Sequence, residues 1–369
     1  MQNILFIMHM PPPIHGAAMM GKYIHDSEVV NKTFNCKYIN PTTATSLEDI
    51  GKVGVRKLVD FWKLLKRIKK EIKEFQPDLV YFTANACGGA FYKDYVIVRI
   101  LKALGCRIVI HYHNKGVRAH QHKWFDDKLY NSFFKGLKII LLAEALYPDV
   151  EKYVKRDNVL ICPNGIPATL DYEPQAKREN KVPHILFLSN LIESKGVIVL
   201  LDALQLLKEH DMKFVCDFVG GETAEIDAAR FEQEIALRGL KECTFYHGRK
   251  YGDEKCEFFE KADIFAFPSY NEAFGLVNLE AMEHKLPIIS TNEGGIPDVV
   301  KDGINGITVD CSTGSVNINE LAEAIARLIE NPELRMKMGE AGYKMFKEKF
   351  TLPAFEQHIT DCLTSVLGN

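Results

Sequence analysis

Twelve short apolar runs, each four to seven residues long, alternate along this chain with longer stretches whose apolar residues recur at helical spacing. That alternation restricts the fold more than any other feature, because parallel strands need crossovers long enough to hold a helix. The pattern therefore predicts βαβ units and an α/β fold. The runs form two series. The first comprises residues 3–9, 36–40, 78–83, 107–112, 138–142 and 158–161; the second comprises 184–190, 214–220, 244–248, 264–268, 287–290 and 306–310. Helical patterns lie between most of them, for example over 197–210 and 223–238.

Between the series, Pro163-Asn164-Gly165-Ile166-Pro167 leads into a polar stretch from Glu173 to Lys181 that ends at Pro183. Turn formers followed by charge mark an interdomain linker. The expected organisation is an N-terminal domain over 1–165, a linker over 166–182 and a C-terminal domain over 183–351. A helical tail follows at 318–330, 332–349 and 352–367. Its last segment, about 352–369, is long enough to pack back onto the first domain.

With 369 residues, each half can bury a core of its own. A formal net charge of -3 gives no global attraction to nucleic acid, so none is expected as a partner. Nine cysteines, an odd number without a C-x-x-C pair, read as reduced thiols and not as a disulfide framework or a zinc site. No apolar stretch approaches the roughly 20 residues that span a bilayer. The opening residues lack a basic n-region and read as a buried strand, which points to the cytoplasm.

The densest chemistry runs from Pro268 to Met282. A strand ends at Pro268, a loop carries Glu272 and a helix begins near Gly275. Free N–H groups at that helix start, with its dipole, favour an anion such as a diphosphate. Glu272 and Glu280 can then border one pocket and accept hydrogen bonds from ribose or sugar hydroxyls. The plainer reading is that these acids stabilise a helix terminus by roughly a few tenths of a kcal/mol.

Three further loops carry candidates. Lys195, in the segment from Ser189 to Gly196, follows the first strand of the second series and can neutralise a diphosphate leaving group; the alternative is a solvated surface lysine. Gly16 follows Pro11-Pro12-Pro13-Ile14-His15, where a glycine lets backbone approach a ligand. No G-x-G-x-x-G follows the first strand, which argues against a dinucleotide-binding oxidoreductase. His111 and His113 share one face at the end of a buried strand, and no third ligand accompanies them, so no metal is expected.

The segment from Arg56 to Phe75 is an amphipathic helix. Leu58, Trp62, Leu65, Ile68, Ile72 and Phe75 form a stripe, with Lys63, Lys66, Arg67, Lys69, Lys70 and Lys73 on the remainder, diluted by Glu71 and Glu74. One reading docks it weakly on anionic lipid. The other makes it a crossover helix whose stripe covers the sheet.

The Glu-x7-Glu pair within Glu272-Ala273-Phe274-Gly275-Leu276-Val277-Asn278-Leu279-Glu280 resembles the signature of retaining glycosyltransferase family 4. Matching segments follow in order: Gly294-Gly295-Ile296-Pro297-Asp298, Asp302-Gly303-Ile304-Asn305-Gly306 and, earlier, Cys162-Pro163-Asn164-Gly165-Ile166. The resemblance covers nearly the whole chain, strongly over 264–309 and more weakly in the first domain. It implies the GT-B architecture, two Rossmann-like domains whose parallel sheets face across a cleft. It implies a nucleotide-diphosphate sugar as co-substrate, a UDP-sugar ahead of a GDP-sugar. With no Asp-x-Asp triplet in the chain, neither metal nor other cofactor is expected.

Carried over residue by residue, the resemblance gives Glu280 the donor ribose and Glu272 the hydroxyls of the transferred sugar. The backbone of Phe274, Gly275, Leu276 and Val277 would face the sugar and diphosphate. Gly16 would line the cleft, and His113 would contact the sugar and help organise the acceptor. His113, Lys195 and Glu272 are thus the expected catalytic residues. The family usually adds an arginine to the lysine loop; Asn190 stands near that place, leaving Lys195 alone or helped by Arg249. The implied activity is retaining transfer of a hexose or N-acetylhexosamine to a glycan or lipid-linked acceptor in cell-surface polysaccharide assembly, on the inner face of the membrane. Two alternatives stay open: a nucleotide-sugar epimerase of the same architecture, and a non-catalytic nucleotide-sugar-binding subunit.

Overall fold

The structure, a computed structural model, describes all residues except 13–14, 42–54, 171–173, 175–179, 313 and 369, and of 55–57 the backbone alone. Part of the stretch read as a linker therefore lies outside the described residues, as do Pro13 and Ile14. The chain divides into two compact units. Unit 1 comprises Met1–Asn164 with Leu352–Asn369, and unit 2 comprises Gly165–Thr351.

All twelve apolar runs form strands. Unit 1 holds β1 (Asn3–Ile7), β2 (Asn35–Ile39), β3 (Leu79–Ala84), β4 (Ile108–Tyr112), β5 (Lys138–Leu141) and β6 (Val159–Ile161). Unit 2 holds β7 (His184–Leu188), β8 (Val215–Val219), β9 (Thr244–Tyr246), β10 (Ile264–Ala266), β11 (Ile288–Thr291) and β12 (Gly306–Val309). Every pairing is parallel. Central strands such as β3 and β4 are buried along their whole length, as helices on both faces of a parallel sheet require.

The two sheets differ in order. Unit 1 runs β2-β1-β3-β4-β5-β6, so its strand order reverses between β1 and β3. Unit 2 runs β12-β11-β10-β7-β8-β9, the doubly wound Rossmann order, and reverses between β7 and β10. Such reversal points leave a crevice at the carboxyl ends of the strands, where α/β proteins bind ligands.

Right-handed crossovers fix which face each helix covers. In unit 1 the step from β1 to β2 carries the helices Gly16–Asp26 and Glu28–Thr33 to one face. The steps from β2 to β3, β3 to β4 and β4 to β5 run the opposite way. They place Val55–Phe75, Gly88–Ala103 and Trp124–Phe134 together on the other face. The C-terminal helix Leu352–Gly368 packs against the first group, and Arg107 Nη1 donates to its Leu367 carbonyl at 3.1 Å.

Three helical readings need correction. The pattern over 223–238 yields a helix only at Ala228–Leu237. Thr223 diverts the preceding chain into a loop by donating to the Leu191 carbonyl at 2.6 Å, and Asp227 caps the helix by accepting from Arg230 N at 2.7 Å. In the tail the break at residue 331 falls where expected, Asn331 accepting from Leu334 N, but the helix expected over 332–349 ends at Met345 and Phe346–Phe350 forms a π-helical turn. The apolar stripe of Val55–Phe75 covers the sheet only in part. Leu65 and Ile68 are buried, joined by Leu64, whereas Leu58 and Trp62 stand in solvent.

Candidate functional site

In unit 2 the loops leaving β7 and β10 are joined at the strand-order reversal. The first makes a short 3-10 turn, Glu193–Lys195, closed by left-handed Gly196. Its Ser194 carbonyl accepts from Tyr270 N at 3.0 Å and from Ser269 Oγ at 3.1 Å, both in the second loop. This fastening brings Lys195 Nζ within 2.7 Å of Glu272 Oε2, in a half-buried ion pair. Lys195 also donates to the Asn271 carbonyl at 3.3 Å. The other carboxylate oxygen of Glu272 accepts from Ala273 N at 2.9 Å and Phe274 N at 3.4 Å. Charge-assisted bonds on both oxygens hold the carboxylate in one orientation.

The helix Leu276–Glu283 follows, capped by Gly275 in the left-handed region (φ 78). Leu276 and Val277, at its start, present N–H groups that no intrahelical carbonyl can satisfy. Phe274 turns its ring inward, buried and edge-on to Phe350, so only its backbone faces the loop. Gly294, in the loop after β11, completes the floor. A Cβ there would sit 2.0 Å from the Glu272 carbonyl oxygen, and its φ of 53 disfavours any other residue. The close approach lets Gly295 N donate to the Ala273 carbonyl at 2.9 Å.

Glu280, on that helix, is bonded to Lys255 Nζ at 2.9 Å. Burial raises its pKa, against the pull of Lys255. Lys255 lies on Gly252–Lys261, a helix in which the sequence carries no motif, and it was not among the expected site residues. Asn278, one turn before Glu280, is fully buried, and neither end of its amide finds a hydrogen-bond partner among the described residues. It too was missed.

Asn190 and Arg249 form a separate group at the ends of β7 and β9. Asn190 Oδ1 accepts from Gly221 N at 3.1 Å, and the Arg249 guanidinium lies where a Cβ on Gly221 would be, 2.3 Å from its Nη2. Asn190 thus ties the β7 loop to the β8 loop, and Arg249 covers that junction.

Unit 1 gathers histidines at the carboxyl ends of β1 and β4. His111 is fully buried and shares a 2.6 Å hydrogen bond with Tyr81 Oη. His113 lies beside it, ring centroids 4.2 Å apart, with both ring nitrogens buried and without partners among the described residues. Burial, then the charges His9 and His15 would carry, lowers the His113 pKa to about 3. His9 is lowered to about 4, again mainly by burial. His15 caps the helix Gly16–Asp26 by accepting from Ala18 N at 3.3 Å, which makes exposed Gly16 its first residue. These are neutral imidazoles, suited to hydrogen bonding and not to pairing with a phosphate. His9 and His15 were not selected from sequence; the signal was their place on either side of the β1 loop.

The structure therefore brings Lys195, Glu272 and the start of Leu276–Glu283 together, sets Glu280 on the same helix, and places Asn190 with Arg249. His113 and Gly16 belong to unit 1. No group of three or more His, Cys, Asp or Glu among the described residues is arranged to hold a metal ion. No helix among them is long and apolar enough to cross a membrane.

Comparison with known proteins bears on this arrangement. Residues 171–345 match the family model described as glycosyl transferases group 1. An uncharacterized glycosyltransferase of Methanocaldococcus jannaschii is 31% identical over 215 residues, 58% of this chain and 55% of that protein. The chain spans about half the length of the curated relatives it matches. Among solved structures, the lipopolysaccharide outer core galactosyltransferase WaaB aligns with a TM-score of 0.74 at 15% identity over 99% of both chains. Anabaena HepE in complex with UDP-glucose aligns with a TM-score of 0.71 at 16% identity over 99% of this chain and 100% of that one. At these identities the likeness establishes the fold, which is GT-B.

Proposed function

From a chain whose residues 171–345 match the model of glycosyl transferases group 1, we propose that it is a retaining glycosyltransferase. It takes a hexose or N-acetylhexosamine from a nucleotide-diphosphate sugar. The observation that carries this reading is the Lys195–Glu272 ion pair at the β7/β10 reversal, beside the start of the helix that bears Glu280. A lysine, free helix N–H groups and two carboxylates on one short segment match, in order, the needs of a diphosphate, a sugar and a ribose. That HepE is solved with UDP-glucose supports a UDP-sugar ahead of a GDP-sugar.

In this reading the acceptor hydroxyl attacks the anomeric carbon on the face from which the diphosphate leaves. The bond from that carbon to the diphosphate oxygen breaks, a bond to the acceptor oxygen forms, and the acceptor proton passes to the departing diphosphate. Lys195 and the N–H groups near Gly275 stabilise the charge that builds on the leaving group. Lys195 must exchange part of its bond to Glu272 for the phosphates, which frees Glu272 to accept from sugar hydroxyls. His113, with its unpartnered ring nitrogens, serves the transferred sugar and acceptor as a neutral hydrogen-bonding group. No metal takes part.

The acceptor class is a glycan or lipid-linked saccharide of the cell surface, and the enzyme works at the cytoplasmic face of the membrane, which the basic helix from Arg56 to Phe75 touches. The test is to incubate the protein with each nucleotide sugar, with and without saccharide acceptors, and to resolve the products. Acceptor-dependent nucleotide release with retained anomeric configuration is expected. Epimerised donor formed without any acceptor would replace this reading with the epimerase.

A further inference from the structure

The chain has two tryptophans, and both stand in solvent: Trp62 is 64% exposed and Trp124 71%. Tryptophan is ordinarily well buried, so exposure of both calls for a cause. Neither stands alone. Phe125 is exposed beside Trp124, with exposed Tyr92 6.2 Å from it, ring centroid to ring centroid; Leu58 and Val59 are exposed one turn before Trp62.

Topology places these residues together. They lie on Val55–Phe75, Gly88–Ala103 and Trp124–Phe134, the three helices that right-handed crossovers carry to one face of the unit 1 sheet. All six fall in the leading half of their helix, which lies toward the carboxyl ends of the strands. Of nine exposed large apolar side chains among the described residues of unit 1, six are therefore along the carboxyl edge of one face, spread over three helices. The strand ends that carry His9 and His113 belong to the same edge of the sheet.

The charge along this edge is basic. Lys63, Lys66 and Arg67 are exposed on the first helix, Lys123 and Lys128 on the last. Lys128 Nζ lies 3.8 Å from the centroid of the Trp124 ring. The nearby acids are engaged: Asp126 is buried and accepts from Tyr92 Oη at 2.8 Å, Asp127 pairs with Lys152 at 2.6 Å, and Asp60 lies 3.7 Å from Lys63, which offsets part of that lysine's charge. The whole of unit 1 has 25 Lys and Arg against 17 Asp and Glu, a formal +8, whereas unit 2 has 21 against 32, a formal -11.

We propose that this edge of unit 1, marked by Trp124, Phe125 and Trp62, docks on an anionic lipid bilayer. Amphipathic aromatic rings settle at the depth of lipid headgroups, and lysines around them meet the negative surface potential. A protein partner would leave unexplained why aromatics on three separate helices share one basic edge; a flat anionic surface accounts for all of them. The inference draws its purpose from the proposed function, because it would bring a lipid-linked acceptor to the edge that bears His113. The binding itself needs no donor or acceptor.

The test uses the full chain with vesicles of phosphatidylglycerol and phosphatidylethanolamine, or of phosphatidylcholine alone, without nucleotide. Co-sedimentation and a blue shift of tryptophan emission are expected with the first and not the second. Trp124→Ala with Phe125→Ala should weaken binding roughly tenfold through lost aromatic area. Each of Lys63→Glu and Lys123→Glu should weaken it at least about fivefold. Trp62→Phe leaves Trp124 as the sole reporter, and its emission should still shift. Because these residues are exposed, the variants keep the fold, as circular dichroism would show. Absence of binding to the anionic vesicles, or binding unchanged in the double variant, overturns the proposal. So does dimerisation in light scattering that the double variant abolishes, which would assign the patch to a second copy. Nucleotide binding that survives any of these failures leaves the donor site standing.

Discussion

The two units share an architecture and divide its chemistry. Each is a six-stranded parallel sheet with its strand-order reversal at the carboxyl edge, yet unit 1 carries a formal +8 and unit 2 a formal -11. Unit 2 builds its candidate site from ionised groups held in pairs, Lys195 with Glu272 and Lys255 with Glu280. Unit 1 builds its corresponding edge from histidines that burial keeps neutral. The family model matches within unit 2 alone. One architecture thus carries lysine–carboxylate pairs at the strand ends of one sheet and buried imidazoles at those of the other.

The sharpest way to break this contrast is to remove the cation from unit 2. Lys195→Ala should lower turnover by roughly 10²–10³, the size of a lost group that stabilises developing negative charge. Circular dichroism should stay unchanged, since the pair is half-buried. A wild-type rate in the purified variant would show that unit 2 does not use the lysine on a leaving group.

Glu280→Ala should weaken nucleotide binding by about 10–100-fold through lost hydrogen bonds to the charged carboxylate. Calorimetry of the two proteins reads this directly. Lys255→Ala should cost less, about threefold to tenfold, if Lys255 only orients Glu280. Equal losses would promote Lys255 to a ligand contact.

Gly294→Ala tests whether backbone approach shapes the floor of the unit 2 site. Strain at its positive φ and the collision with the Glu272 carbonyl should cost about 1–3 kcal/mol, seen as a lower urea midpoint. Gly314→Ala, also at positive φ but with open space around the added carbon, should cost less. Equal midpoints would remove packing from the explanation.

The pH dependence of stability tests unit 1. A histidine whose folded pKa is depressed binds a proton more readily when unfolded. Stability should therefore fall as pH drops below about 6.5 and keep falling toward about 4 for His9 and about 3 for His113. Between pH 7.5 and 5 each contributes a loss of roughly 1–2 kcal/mol. Ring resonances of His113 that titrate near pH 6.5 would contradict the neutral assignment.

The architecture was legible because buried parallel strands are continuous apolar runs, and all twelve survive as strands. The Lys195 and Glu272 loops drew attention in the sequence because a glycine-punctuated strand-to-helix turn offers free N–H groups to an anion, and the structure sets the two side chains 2.7 Å apart. Other features depend on distance through space. Lys255 is an ordinary lysine on an unremarked helix until folding sets it against Glu280. Trp62 lies on a helical stripe whose periodicity suits a sheet or a lipid surface equally, so only the structure shows that it stands in solvent. The charge division was invisible in a net charge of -3, because the two units nearly cancel.

The central claim is that unit 2 binds the donor through Lys195, Glu272 and Glu280. Isothermal calorimetry with UDP and GDP, each with and without a divalent ion, on wild type and Glu280→Ala tests it most directly. The account predicts metal-independent binding of one nucleotide, weakened at least tenfold in the variant. Binding of neither nucleotide, or equal binding by both proteins, would contradict it.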